Sequence, residues 1–331
     1  MRETLLSILR CPVCAVDLRI DDPTHDADGD IERGTLTCRR NTSHRYPITR
    51  GIPRFVPDHN YADNFGVQWN AYRQTQLDSH SGQPISRDRF VRFTGWDTAT
   101  MAGDTVLDVG CGAGRFAEIA VATGAHVVAV DYSTAIDAAR TNLHGRGNID
   151  FIQADATALP FAPHAFDRVY CLGVIQHTPD PAITFRSLAQ QVAAGGRLAI
   201  DVYPAHWKNV FFAKYWIRPV TKRLTVERGH RIARTLFPLL YPVSQAIGRI
   251  PKAGHYLKYL IPVVNYEGVY PLTAAQLREW ALLDTFDMWA PAYDQPQTMA
   301  TIRQWFEEAR FTDIDVFHHG FYVGRGTRAK A

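Results

Sequence analysis

The sequence predicts an α/β fold: a doubly wound parallel sheet, a small cysteine-bearing segment ahead of it, and a helical insertion near its end. Three observations carry this reading. Residues 105–203 alternate apolar strand-like runs with helix-like segments over short links, the pattern of a sheet covered on both faces. Cys11, Cys14 and Cys38 crowd the first forty residues, whereas Cys111 and Cys171 stand singly. Residues 204–297 then break the alternation with an aromatic, basic, proline-punctuated stretch. With 46 % apolar and 21 % charged residues, the 331-residue chain has the balance of a globular protein of about two domains. That balance excludes a disordered, collagenous or coiled-coil chain. A formal charge of +3 is too small to mark the whole chain as a nucleic-acid binder.

Taken in order, residues 1–56 combine the cysteines with short strand-like runs around the turn-forming DDPTHDADGD at 21–30. The short apolar run at the start is ended by Arg10 and Cys11-Pro12, unlike a signal peptide. No uncharged apolar stretch reaches the ~18–20 residues of a membrane span, so a cytoplasmic protein is expected. Residues 57–104 read as helices and loops, a lid or linker in which Phe65, Trp69 and Tyr72 recur at helical spacing. The strands and helices follow as TVLDVG, RFAEIAVAT, HVVAVD, STAIDAARTNL, IDFIQAD, DRVYCLG, PAITFRSLAQQV and RLAIDVY. Asp180-Pro181 predicts a helix cap with proline in the first turn, and Gly195-Gly196 predicts the stop of that helix. Thr298 predicts the cap of a helix to about Ala309 with Ile302, Trp305, Phe306 and Ala309 on one side. TDIDVF and FYVGRG after it predict a hairpin that closes the sheet.

The sharpest local signal is VLDVGCGAGRF at 106–116, an apolar strand through Asp108 followed by Gly110, Gly112 and Gly114. Glycines there let the chain turn tightly and leave room for a ligand against the backbone. The spacing is not the dinucleotide GxGxxG, and no Gly-Lys-Ser/Thr marks a phosphate loop. The second strand ends in Asp131-Tyr132, where a carboxylate can accept both hydroxyls of a ribose. The third closes on Asp155 at the same carboxyl edge. Three strand ends that each close on Asp favour ligand binding over turn capping.

VLDVGCGAGRF, AVDYS, QADATALPF, FDRVYCLGVIQHTPDP and QQVAAGGRLAIDVY, five ordered motifs, resemble the class I S-adenosylmethionine-dependent methyltransferases, closely over 104–203 and loosely over 298–326. The resemblance implies a Rossmann-like seven-stranded sheet with an antiparallel last strand. It implies that Asp108 and the loop of Gly110, Cys111, Gly112 and Gly114 lie beside the methionine part of S-adenosylmethionine. Asp131 would hold the ribose, Tyr132 would pack near the adenine, and Asp155 with the backbone of Ala156 would read the adenine edge. Gly173, Gln176 and His177 would follow the fourth strand, at the wall nearest the transferred methyl.

His177 is the positional candidate for a general base, or else it shapes the pocket. The loop Gly-Val-Ile-Gln lacks the Asn/Asp-Pro-Pro-Tyr of enzymes acting on exocyclic or amide nitrogens, and no Pro-Cys supplies a nucleophile for pyrimidine C5. The expected acceptor is an oxygen or amine of a small molecule, sugar or lipid-linked compound, with Trp289 and Tyr293 as walls. The alternatives are an RNA methyltransferase and, from another class, a scaffold that binds the cofactor without catalysis.

CPVC at 11–14 has metal-knuckle spacing, and Cys38 with His44 completes a possible tetrahedral Zn²⁺ set. With LLSILRCPVC and HRYPITRGIPRFVP, the segment resembles a zinc-ribbon-like domain that precedes some bacterial methyltransferases and, free-standing, activates RNA and protein methyltransferases. Four protein ligands imply a structural ion. Between Ala205 and Asn265 stand eleven Lys and Arg and a single acidic residue, Glu227, a local +10 that leaves −7 on the remainder. Trp207, Val210, Phe211 and Tyr215 follow helical spacing, with Lys208, Lys214 and Arg218 off that stripe. This pattern predicts peripheral contact with an anionic membrane, a solvated face over an aromatic core, or RNA binding.

Overall fold

A computed structural model of the protein describes residues 1–57, 60–207 and 211–330; Lys208 and Val210 of the expected stripe lie outside them. After a 3₁₀ turn at Glu3–Ser7, strands β1 (Leu18–His25), β2 (Ile31–Cys38), β3 (Arg45–Thr49) and β4 (Ile52–Pro53) form an antiparallel meander. Three helices follow: α1 (Asp63–Ala71), α2 (Asp78–Ser81) and α3 (Ile85–Thr94). Then come β5 (Thr105–Val109), α4 (Ala117–Val121), β6 (His126–Asp131), α5 (Ala135–Leu143), β7 (Ile149–Gln153), β8 (Phe166–Cys171), α6 (Pro181–Gln191) and β9 (Val192–Val202). Helices α7 (Ala213–Thr221), α8 (Val226–Gly248), α9 (Gly254–Leu257) and α10 (Ala274–Trp289) precede α11 (Met299–Glu308), β10 (Phe311–His319) and β11 (Phe321–Arg328).

The large sheet runs β10-β11-β9-β8-β5-β6-β7, with β11 antiparallel to both neighbours and β5–β9 mutually parallel. Strand alternation builds a core on each face. Leu107, Val128 and Ile200 meet Phe185, Leu188 and Phe306, while Val106, Ala129 and Tyr170 meet Phe90, Phe93 and Leu143. The N-terminal meander shares the first core through Leu5, Leu9 and Ile48. It also shields the β7 edge, because Arg54 bridges to Gln153 in parallel and the Phe55 amide donates to the Gln153 carbonyl at 2.8 Å.

Local capping follows the sequence. Asp180 accepts hydrogen bonds from the Ala182 and Ile183 amides with Pro181 at the helix start, and Thr298 accepts one from Thr301. Gly195-Gly196 differs from expectation. Helix α6 ends at Gln191 without them, and both glycines lie inside β9, where its register on β8 slips from Phe166↔Val192 to Arg168↔Arg197. The positive φ of Gly195 (76°) serves this bulge rather than a helix end. Beyond β9, Pro204 pairs with Gln297, the Ala205 amide donates to the Gln297 carbonyl at 2.8 Å, and the Gln297 amide donates to the Tyr203 carbonyl at 3.0 Å. Helices α7–α10 branch from this neck and bury Phe237, Tyr241 and Ala281 in one small core, Ala233, Phe286 and Trp289 in another. Among the described residues, no helix is long and apolar enough to cross a membrane.

Candidate active site

The loop after β5 turns on Gly110, Gly112 and Gly114, with φ of 77°, 54° and 92°. A Cβ at Gly110 would stand 2.3 Å from Val174 Cγ2, and one at Gly112 would meet the Trp69 indole at 3.2 Å. These positions therefore demand glycine twice over, by dihedral and by space. Asp131 locks the loop from β6. Its Oδ2 accepts the Gly112 amide at 2.9 Å, while Oδ1 accepts the Ser133 amide and hydroxyl at 2.8 and 2.7 Å. Burial raises its pKa against the pull of these donors.

Loop and strand ends open onto a cavity of about 930 Å³. Its sheet side is lined by Gly110, Cys111, Gly112, Asp131, Tyr132, Ala156, Gly173 and His177. The segment before β5 contributes Tyr61, Phe65 and Trp69, and the insertion contributes Lys214, Arg218, Tyr266, Asp284 and Asp287. Tyr132 tilts against Tyr61 with ring centroids 4.8 Å apart, and Tyr61 meets Tyr293 edge-on at 5.3 Å. A cavity of this size with a few converging polar groups suits a cofactor plus a small partner.

Four of the expected cofactor residues fall outside that lining, as do the expected wall residues Trp289 and Tyr293, the latter meeting the wall through its carbonyl on His177. Asp108 is 2 % exposed, its Oδ2 has no partner among the described residues, and burial pushes its pKa up to about 8. Gly114 packs on Leu143, whose Cδ1 would lie 2.6 Å from a Cβ there. Asp155 follows the end of β7 and caps its turn, Oδ1 accepting the Thr157 amide at 2.8 Å and hydroxyl at 2.7 Å. Gln176 is buried, and its carbonyl accepts the Gln295 amide at 2.9 Å. Trp289 differs from its expected place as a wall. Helix α10 continues through it, so its side chain enters the insertion core and its Nε1 donates to the Pro262 carbonyl at 3.0 Å.

His177 lies in the cavity wall between Phe65 and Tyr203, ring centroids 5.4 and 5.3 Å away. Its Nδ1 donates to the Tyr293 carbonyl at 3.0 Å, which leaves Nε2 as the proton acceptor. Burial, partly offset by that carbonyl, lowers its pKa to about 4, so the ring is neutral at pH 7.

Several wall residues escape a reading of local sequence. Arg115, inside the glycine motif itself, is half-buried and donates to Ser86 Oγ at 2.9 Å and Gln76 Oε1 at 2.8 Å. Arg89 of α3 donates to Asp201 Oδ2 at 2.6 Å, and Asp201 also accepts the Gly173 amide. In the insertion, Asp294 pairs with Lys214 at 3.0 Å and Arg218 at 3.6 Å. Asp287 beside them is pushed up to about 7 by burial and by Asp284. Lys214 and Arg218, expected among the exposed cations of the insertion, instead turn into the cavity wall and pair with Asp294; of the others, only Arg115 carried a signal, by its place in the motif.

The second site lies in the meander. One ligand atom each of Cys11, Cys14, Cys38 and His44 fall within 4.8 Å of one another. His44 Nδ1 is 3.5 Å from Cys11 Sγ and 3.4 Å from Cys14 Sγ. Tetrahedral Zn²⁺ with ordinary Zn–S and Zn–N bonds requires an S···N edge of about 3.6 Å, so this donor set fits the ion. Around it, the Asn41 amide donates to Cys38 Sγ at 3.4 Å, Tyr46 Oη lies 3.4 Å from Cys11 Sγ, and the Asn41 side chain stands 3.2 Å from His44 Nε2.

Strand order, the antiparallel β11 and the glycine loop at the carboxyl edge of β5 define the class: a Rossmann-like methyltransferase fold. Residues 107–200 match the family described as methyltransferase domain, and residues 2–51 the one described as Trm112p-like protein. The ubiquinone biosynthesis O-methyltransferase of Xylella fastidiosa (strain M23) is 39 % identical over 178 residues, 46 % of this chain and 70 % of that one. Its namesake in Aromatoleum aromaticum is 37 % identical over 138 residues, 40 % of this chain and 56 % of its own. Magnesium protoporphyrin IX methyltransferase from Synechocystis PCC 6803 with bound SAH aligns over 81 % of this chain and 97 % of that one, at 16 % identity and a TM-score of 0.44. The chain belongs to the S-adenosylmethionine-dependent methyltransferases. It spans about half the length of several of the curated relatives it matches.

Proposed function

We propose that this protein transfers a methyl group from S-adenosylmethionine to an oxygen of a small-molecule acceptor. The observation that carries the reading is that the glycine loop, Asp131 and His177 line one cavity whose remaining wall comes from the insertion. When bound, S-adenosylmethionine supplies a methyl carbon already activated on a sulfonium. The chain's own work is alignment, exclusion of water and management of one proton.

In this reading Gly110, Cys111, Gly112 and Gly173 give close backbone approach to the methionine part, with Asp108, Gly114 and Gln176 supporting that wall from behind. Asp131 accepts the ribose hydroxyls, Tyr132 and Tyr61 flank the adenine, and the Ala156 backbone with Asp155 borders its edge. His177 Nε2 takes the acceptor's proton, while Lys214, Asp287 and Tyr266 contact the acceptor. Residues 1–56 form a zinc-ribbon-like domain on a structural Zn²⁺ held by Cys11, Cys14, Cys38 and His44. Residues 57–104 act as the lid, 105–203 with 298–331 form the catalytic domain, and 204–297 the acceptor side.

The names of the ubiquinone biosynthesis O-methyltransferases among its relatives favour a phenolic oxygen as the acceptor class. The test is incubation with methyl-labelled S-adenosylmethionine, a panel of simple phenols and catechols, and total RNA. Label in an O-methyl product supports the reading; label confined to RNA, or no turnover with any acceptor class from a cell extract, overturns it.

A further inference from the structure

Exposed apolar side chains are distributed unevenly over this molecule. Of nineteen large hydrophobic residues exposed among those described, thirteen fall between Trp207 and Leu260. The insertion's long helix shows why this is a built surface rather than scatter. On α8 the stripe Ala233, Phe237, Tyr241 and Ser244 is buried, whereas Ile232, Leu236, Leu239 and Val243 share the opposite face, with Leu239 67 % exposed. That second stripe recurs at i, i+4, i+7 and i+11, which places it on one side of a helix. Arg228 and Arg231 flank it and are themselves exposed. On α7, Trp216 and Val220 are exposed one turn apart, followed by exposed Lys222 and Arg223.

The cations of the insertion have few internal partners. Lys214 and Arg218 pair with Asp294, and Arg249 pairs with Glu267. Among the described residues, Lys222, Arg223, Arg228, Arg231, Arg234 and Lys252 form no ion pair. The face therefore combines an aliphatic and aromatic stripe with a surplus of positive charge, on a chain whose remainder is net negative.

We propose that the exposed face of α8 docks on an anionic lipid bilayer, lying in the headgroup plane with Leu239 and Val243 at the acyl boundary. A second copy of the chain is a poor occupant, because two such faces carry the same excess positive charge and repel. A polyanion without an apolar phase satisfies the cations and leaves the Ile232–Val243 stripe in water. A bilayer satisfies both halves of the surface. The same insertion also lines the cavity, through Phe212, Lys258 and Tyr259.

The experiment is co-sedimentation of the full chain with vesicles of phosphatidylcholine alone or of equal parts phosphatidylcholine and phosphatidylglycerol. Binding to the anionic vesicles and release at high salt are expected. The double variant Arg228→Glu/Arg231→Glu should weaken partitioning by at least roughly tenfold, because each cation near such a surface adds about 1 kcal/mol. Leu239→Ser/Val243→Ser should weaken it by a similar factor at low salt, with unchanged melting and S-adenosylmethionine binding. Equal binding to both vesicle types, binding to neither at low salt, or full retention by both variants overturns the proposal. Tight binding of single-stranded RNA without vesicle binding overturns it in favour of a nucleic-acid face.

Discussion

Arg2, ahead of the 3₁₀ turn that precedes the meander, reaches Asp150 of β7 in the large sheet. Its Nη2 lies 2.5 Å and its Nε 3.1 Å from Oδ2, while its amide donates to Oδ1 at 3.2 Å. The carboxylate is 2 % exposed and also meets His126 Nε2 at 3.1 Å. The N-terminal segment is thus fastened to the edge strand by a buried, multiply bonded charge, reinforced by Arg54 on Gln153 (2.7 Å) and Asp137 (2.8 Å).

Removing Arg2 strands that charge. Arg2→Ala should cost about 2–4 kcal/mol in urea unfolding of the whole chain, near the lower end for a broken buried pair. The same bonding sets a pH dependence. Burial alone would raise the Asp150 pKa, but the hydrogen bonds from His126 and Arg2 outweigh it and hold the group below its ordinary value. Its contribution is complete above the unfolded carboxylate range and disappears as pH falls through the lowered native pKa. Midpoints of unfolding measured between neutral and acidic pH should fall less steeply in Asp150→Asn than in the wild type.

Asp131→Ala should weaken S-adenosylmethionine binding by roughly ten- to a hundredfold, as expected when a charged hydrogen-bond partner is lost. Because Asp131 also holds the Gly112 amide, the variant's melting temperature is read alongside. Calorimetry showing unchanged affinity in a folded variant removes Asp131 from the ribose.

Freshly purified protein should contain about one equivalent of zinc. A chelator should loosen residues 1–56 ahead of the main sheet, and Cys14→Ser should lower the metal content. Elemental analysis and hydrogen exchange check these together; a metal-free but equally protected meander defeats the zinc assignment.

His177 loses stability in the same direction as Asp150, as pH falls, but over a higher range. With a native pKa near 4 against an unfolded 6.5, it contributes stability above about pH 6.5 that is progressively lost toward pH 4. As the base it gives a rate that rises through about pH 4 and is flat at neutral pH, and His177→Ala should lower kcat by about a hundredfold or more. A limb near pH 7 that vanishes in Asp287→Asn would move the proton-accepting role to Asp287, whose pKa lies at about 7.

What the sequence disclosed was whatever is encoded locally. The glycine loop and Asp131 were legible because tight turns and strand-end carboxylates leave a residue signature, and Cys11, Cys14, Cys38 and His44 because metal spacing does. Asp180 and Thr298 announced their helices for the same reason. Gly195-Gly196 misled because glycine marks both a helix end and a bulge, and only the β8 register separates the two. Trp289 was misplaced because nothing in FDMWAPAYDQPQT says where α10 stops. Asp284, Asp287 and Asp294 stayed hidden, and Lys214 was read as facing outward, because tertiary packing alone brings them to the cavity. Asp108 and Asp155 showed as acids, but not that one is sealed off and the other spent on its own turn.

The paired neck at Tyr203–Ala205 and Gln297 has an evolutionary consequence. Since the insertion leaves and rejoins the sheet at hydrogen-bonded neighbours, lengthening or replacing the intervening chain costs the sheet almost nothing, because loop-closure entropy grows only logarithmically. On the proposed reading of 204–297 as the acceptor side, acceptor preference can drift by exchange of one cassette while the cofactor half is kept under separate selection. Chimeras that graft another family member's segment between Pro204 and Gln297 are the natural way to move substrate choice from one chain to another.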